Sequence, residues 1–133
     1  MASTFSFTKL IVHDLQKMSA FYQAAYGLKD FDRVQADNDG DPIDEIMLGI
    51  DSAHGPGSIM LLKFTERAAP TPGAVILGFQ TDDLEGLLDA VLAAGGSLYG
   101  EIKTSEVAPV RVAFTIDPEG NHAENVQIMA PIA

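Results

Sequence analysis

Asp117-Pro118-Glu119-Gly120-Asn121-His122-Ala123-Glu124 reads as a turn that feeds a strand. Pro118 presets φ near about −65°, and Gly120 supplies a positive φ without steric cost. Before the turn lies the apolar run Val110 to Ile116. After it, Glu124-Asn125-Val126-Gln127-Ile128 alternates polar and apolar residues. The two flanks make a β-hairpin with a carboxylate one step inside its second strand. That carboxylate points to one face of a sheet, and its surroundings set whether it binds a metal, binds a ligand or does neither.

Upstream, Ala74 to Gln80 reads as a strand. Asp82-Asp83 opens a helix carrying Leu84, Leu87, Leu88, Val91 and Leu92 at helical spacing, and Gly95-Gly96 closes it. Strands follow near 97–104, 109–116 and 123–129. The first half has the same order. Phe5 to Val12 is a strand, and Asp14 is an N-cap for a helix through Leu15, Met18, Phe21, Tyr22 and Ala25. Met18, Phe21, Tyr22 and Tyr26 read as core or interface. Gly27 ends that helix. Strands are expected at 29–36, 43–50 and 58–64, with a turn cluster, Asp37-Asn38-Asp39-Gly40-Asp41-Pro42, after the first of them. Val12-His13-Asp14-Leu15 aligns with Thr81-Asp82-Asp83-Leu84, and Gly27 with Gly96. The expected fold class is therefore α+β, with two βαβββ modules at 5–64 and 74–130 in one domain of 1–133. The Pro-rich stretch 65–73 is their linker.

Composition bounds the function. The chain has 133 residues, of which 47 % are hydrophobic and 20 % charged, enough for one domain with a real core. The net charge of −11 argues against nucleic acid and anionic membranes. No apolar run is long enough to span a bilayer, no secretory signal is expected, and the lack of cysteine excludes thiolate sites and fits the cytoplasm.

The chain resembles the vicinal oxygen chelate superfamily, which includes glyoxalase I, bleomycin-resistance proteins and extradiol dioxygenases. The resemblance rests on Val12-His13-Asp14-Leu15 leading to Ala20-Phe21-Tyr22 and Tyr26-Gly27-Leu28. It continues through Asp83-Leu84 to Ala94-Gly95-Gly96, and through Asp117-Pro118-Glu119-Gly120-Asn121 with Glu124. It implies an open curled mixed sheet around a cavity, and a homodimer. It also implies metal ligands on the first and last strand of each module in metal-dependent members. Those positions fall on Phe7, near Leu61, near Ile76 and on Glu124, and only Glu124 can bind a metal. No metal site and no cofactor are expected on this count, with a divalent ion kept only as a secondary option.

Strand parity from Phe7 and Glu124 brings Lys9, Leu61, Lys63, Ile76, Gln80 and Arg111 toward the cavity as ligand-binding candidates. It leaves Asn125 and Gln127 on the helix side without explanation. Lys9, Lys63 and Arg111 are three of eight basic residues in an acidic chain. They either pair with solvent and Glu124 or hold an anionic or carbonyl-bearing ligand. The acidic total favours a cationic ligand instead, and both options stay open. Glu124 is a structural ion-pair partner, a ligand group or general base, or part of a metal site. His122 is assigned to the turn, His13 to local bonding and His54 to a loop. The expected function is a metal-independent small-molecule-binding protein resembling the bleomycin-resistance branch, with its link to antibiotic resistance. The alternative is a glyoxalase-like lyase, isomerase or dioxygenase using Glu124 as base or metal ligand.

Overall fold

Asp14 starts the first helix by the mechanism its side chain suggests. Its carboxylate accepts the Lys17 amide at 3.0 Å, satisfying a backbone donor that the helix leaves unpaired. Helix α1 spans Leu15–Tyr26 and buries Leu15, Met18, Ser19, Phe21, Tyr22 and Ala25 along one stripe. Phe21 and Tyr22 meet edge to face at 5.0 Å. Gly27 closes the helix at φ 70°, a conformation that favours glycine, and donates to the Gln23 carbonyl. The computed structural model describes residues 2–37 and 39–129. Asn38, from the expected turn cluster, and Ala130, the expected end of the second module, lie outside them.

Around α1 the chain builds β1 (Phe7–Ile11), β2 (Lys29–Asp37), β3 (Pro42–Gly49) and β4 (Ser58–Phe64). They hydrogen-bond in the order β1-β4-β3-β2, with β1 parallel to β4 and the other pairs antiparallel. The second run gives β5 (Ile76–Gln80), α2 (Leu84–Ala93), β6 (Ser97–Thr104), β7 (Val110–Ile116) and β8 (His122–Ile128), with order β5-β8-β7-β6. Two βαβββ modules, each an open four-stranded mixed sheet with one helix, are thus present. The chain divides into two compact units, Met1–Pro70 and Thr71–Ala133. Side chains near the boundary attach to their own unit. Arg67 stacks 3.4 Å over the Phe64 ring and pairs with Asp41, while Pro72 lies against Gly120.

The second helix ends differently from the first. Gly95, rather than Gly96, takes the positive φ, and the Gly96 amide reaches back to the Val91 carbonyl at 2.9 Å. That six-to-one bond closes α2 after ten residues, against twelve in α1.

The hairpin turn holds more than its proline and glycine. Gly120 has φ 97° and donates to the Asp117 carbonyl. The buried Asp117 carboxylate also accepts the Glu119 amide, the Asn121 amide and the Asn121 side-chain amide, each at 2.9 Å. The turn is therefore built on its first residue as much as on its third.

Asn125 and Gln127, the two polar residues left over on the helix side of β8, are accounted for. Asn125 is fully buried and donates to the Ala113 carbonyl at 3.1 Å and the Thr115 hydroxyl at 2.9 Å. The Gln127 carboxamide accepts the Leu84 amide at the start of α2 and donates to the Asp82 carbonyl. One residue binds β8 to β7 and the other seats the helix on the sheet. In the first unit, Arg33 grips Asp44 with two hydrogen bonds of 2.9 and 2.6 Å. The Arg33 hydrogen bond holds the Asp44 carboxyl below its ordinary value of 3.8, against a smaller opposing effect of burial.

Two outcomes follow. Asn125→Ala removes two buried hydrogen bonds and should cost about 1–3 kcal/mol, read as a lower urea midpoint at unchanged slope. Because Asp44 titrates lower folded than unfolded, its contribution is complete above the ordinary carboxylate range. It is lost as pH falls through the depressed value. The stability gap between the native chain and Asp44→Asn should therefore shrink below pH of about 4. A gap that does not change with pH would show that the ion pair carries nothing.

Candidate functional site

Residues opposite each other in a ladder share a face of the sheet. In the first unit Leu10 lies opposite Leu61, and Leu61 opposite Ile46. All three are buried, and they lie on the face covered by α1. Lys63 belongs to that face too, and its ammonium donates to the His13 carbonyl just before the helix. The other face, open only in that α1 does not cover it, carries Phe7, Lys9 and Ile11 from β1, Met60 and Leu62 from β4, and Glu45 and Met47 from β3, and of these Met60, Leu62 and Glu45 are buried. Leu61 and Lys63 are therefore not on the face of Phe7 and Lys9. The parity guess failed because parallel pairing sets Phe7 opposite Ser58, one step off the assumed register.

On that open face Lys9 Nζ lies 3.0 Å from Glu45 Oε2. The Glu45 side chain is 4 % exposed, and this oxygen has no well-directed hydrogen bond. Lys9 remains half-exposed at 44 %. A carboxylate taken out of water needs a counter-charge, and Lys9 supplies it.

In the second unit Ala113 packs with Leu84 and Leu88 of α2, which marks the helix face. Ala113 lies opposite Asn125, so Arg111, Thr115, Ala123 and Gln127 share that face. Arg111 is held there by Glu85 of α2 and by Gln127. The Arg111 hydrogen bond holds the Glu85 carboxyl below the usual carboxylate range. Arg111 thus does not join Glu124. Its expected position carried strand parity across the hairpin, which left Val110, Val112 and Phe114 for the helix. Register places them on the open face instead.

What the open face does bring together is Glu124, His122, Gln80, Ile76 and Gly78. Phe114 stands beside Glu124, and Tyr99 beside Phe114. His122 opens β8 instead of sitting in the turn, and its ring meets Tyr99 edge on at 5.3 Å. Glu124 is half-buried and forms no hydrogen bond or ion pair among the described residues. Of the eight sequence candidates, Phe7 and Lys9 share one open face, and Ile76, Gln80 and Glu124 share another. Leu61, Lys63 and Arg111 lie on helix-covered faces.

The sequence reading missed His122, Tyr99, Phe114 and Glu45. Period-two spacing to Glu124 was a usable signal for His122. Glu45 had none, because Ile43-Asp44-Glu45-Ile46 does not alternate.

A divalent ion needs three or four protein donors. The open face of the second unit supplies two, Glu124 and His122. No group of three or more histidine or acidic side chains that could hold a metal occurs among the described residues.

Solved structures with this fold correct the wider expectation of no cofactor. The genomically encoded fosfomycin resistance protein FosX from Listeria monocytogenes has a TM-score of 0.70 at 19 % identity over 96 % of this chain and 93 % of its own. It was solved in complex with Mn(II) and sulfate. A protein of this fold does hold a divalent ion, so the fold gives no ground for expecting none. The count that led there also omitted His122.

A glyoxalase family protein from Bacillus cereus matches at a TM-score of 0.83 and 16 % identity, covering 98 % of this chain and 97 % of its own. A glyoxalase I mutant from Zea mays matches at a TM-score of 0.75 and 22 % identity over 91 % of this chain. The chain spans 44 % of the maize protein's length. Among curated proteins none matches the chain by sequence. The family model of the Glyoxalase/Bleomycin resistance protein/Dioxygenase superfamily matches residues 4–124. The duplicated modules and this match agree, and the chain belongs to that superfamily.

Proposed function

We propose that the chain binds a small molecule on the open sheet face of its second unit, with Glu124 as the polar anchor. The observation that carries this reading is the Glu124 carboxylate, half-buried and without a hydrogen bond or ion pair among the described residues, on a face with several apolar side chains. Phe114, Val112, Val126 and Ile76 surround it on that face, and His122, Tyr99 and Gln80 supply directional groups. Small-molecule sites combine mainly apolar walls with a few placed polar groups in this way. A half-buried charge with nothing opposite it also gains from a ligand that brings a donor. Lys9 and Phe7 give the first unit's open face a place in the same reading, as a second, smaller contact surface. Assembly as a homodimer in the cytoplasm belongs to this proposal. No helix among the described residues is long and apolar enough to cross a membrane.

A second reading is enzymatic: a lyase, isomerase or dioxygenase with Glu124 as general base. It is favoured by His122, which shares the face with Glu124 two residues away and could exchange a proton with bound substrate. Elemental analysis separates the readings further, because a stoichiometric metal lost in Glu124→Gln would assign Glu124 to a metal centre.

A thermal-shift screen of metabolites and glycopeptide drugs, followed by titration of the hits, tests the proposal. Glu124→Gln keeps the shape and removes the charge. It should weaken binding at least about tenfold, or about 1.4 kcal/mol. Hits that bind both proteins equally well would rule out Glu124 as the anchor.

A further inference from the structure

Gly78 sits in the middle of β5, between Leu77 and Phe79, with no positive φ. A glycine there weakens a strand, because it adds backbone entropy to the unfolded chain and packs nothing. Neither of the usual structural reasons for it is present. The backbone does not need glycine's freedom, and a Cβ built on Gly78 would meet nothing within 4 Å. The residue lies directly opposite Glu124 in the β5–β8 ladder, on the same open face. Its missing side chain therefore leaves a gap beside the one carboxylate of that face that has no hydrogen bond or ion pair among the described residues. Ile76 and Gln80 bound the gap along β5, and Phe114 stands on the far side of Glu124.

From this we propose that Gly78 is a specificity-determining position. It leaves open space beside Glu124, into which a cationic donor such as a primary ammonium reaches. The inference rests on the reading of Glu124 as ligand anchor and adds what that reading lacks, the charge of the group received and the residue that leaves room for it. A carboxylate with open space beside it favours a donor that carries positive charge, since charge-assisted hydrogen bonds are about twice as strong as neutral ones. The net charge of −11 adds a field that concentrates cations and repels anions. The aromatic ring of Phe114 gives the apolar body of the same ligand a surface to lie on.

The test uses the full chain, labelled for amide NMR, and three probes of nearly equal shape: benzylammonium, benzyl alcohol and benzoate. Benzylammonium should shift the Gly78 and Glu124 amides saturably, with an affinity at least about tenfold above the other two. Gly78→Ala should reduce benzylammonium affinity and Gly78→Val should reduce it at least about tenfold. Neither should lower the melting temperature, because both replace glycine in a strand with residues that suit it as well or better. Glu124→Gln should abolish the preference for the cation. Equal response to the three probes, no saturable response to benzylammonium, or a Gly78→Val protein that binds like the native one would overturn the proposal. If the screen yields a ligand that depends on Glu124 while the Gly78 variants bind it normally, this inference falls and the broader reading stands. If no ligand depends on Glu124, both fall.

Discussion

The Asn125 carboxamide is the contact that the second unit's sheet is arranged around. An amide buried to 0 % exposure has to be satisfied inside the protein, and it is, by the Ala113 carbonyl and the Thr115 hydroxyl of the neighbouring strand. Those bonds hold Asn125 on the helix side. Since side chains alternate along a strand, His122, Glu124 and Val126 must then point the other way. A one-residue slip would bury Glu124 under α2 and expose the amide, two penalties at once. The polar residue that looks misplaced in β8 is what aims the carboxylate outward.

How far this could be read from residues alone depends on the kind of signal. Helix starts were legible because Asp14 and Asp83 act locally, each on an amide three residues on. The hairpin at Asp117 was legible for the same reason. The doubled element order was legible because one βαβββ run restarts after a proline-rich stretch. Face assignment was not, beyond the strands that carried the anchor residues. Leu61 and Arg111 were placed by counting from a neighbour, and the register that governs them is a pairing between distant segments. Val112 and Phe114 were misplaced by the same count across the hairpin, and nothing in their character opposed it, since apolar residues fit a helix-packed face and an open binding face equally well. Arg111 was decided by Glu85, a partner on another element that no local pattern reveals.

The electrostatics of the chain also look different once faces are known. Three basic residues seemed to converge on one site and to contradict the acidic total. The fold separates them. Lys63 donates to a carbonyl ahead of α1, Arg111 bridges to α2, and only Lys9 stays on an open face, where Glu45 neutralises it. The three do not form one basic cluster, and Lys103, opposite Val112, is the basic residue that the register places on the open face of Glu124.

Comparing corresponding rows of the two sheets carries that argument one step further. Lys9 lies opposite Met60 at the third position of β1 and β4, and Gly78 lies opposite Glu124 at the third position of β5 and β8. One row carries a cation beside an apolar side chain, and the other an anion beside an empty place. The first unit supplies its own counter-ion from β3, at the expense of burying Glu45. The second has Val112 at the matching place, opposite Val126, and so leaves its charge unmatched. Two units with the same backbone plan thus differ in whether the charge on the open face is compensated from within. The unit without an internal partner is the one with room for an external one, and that asymmetry is the physical basis for assigning ligand recognition to Glu124.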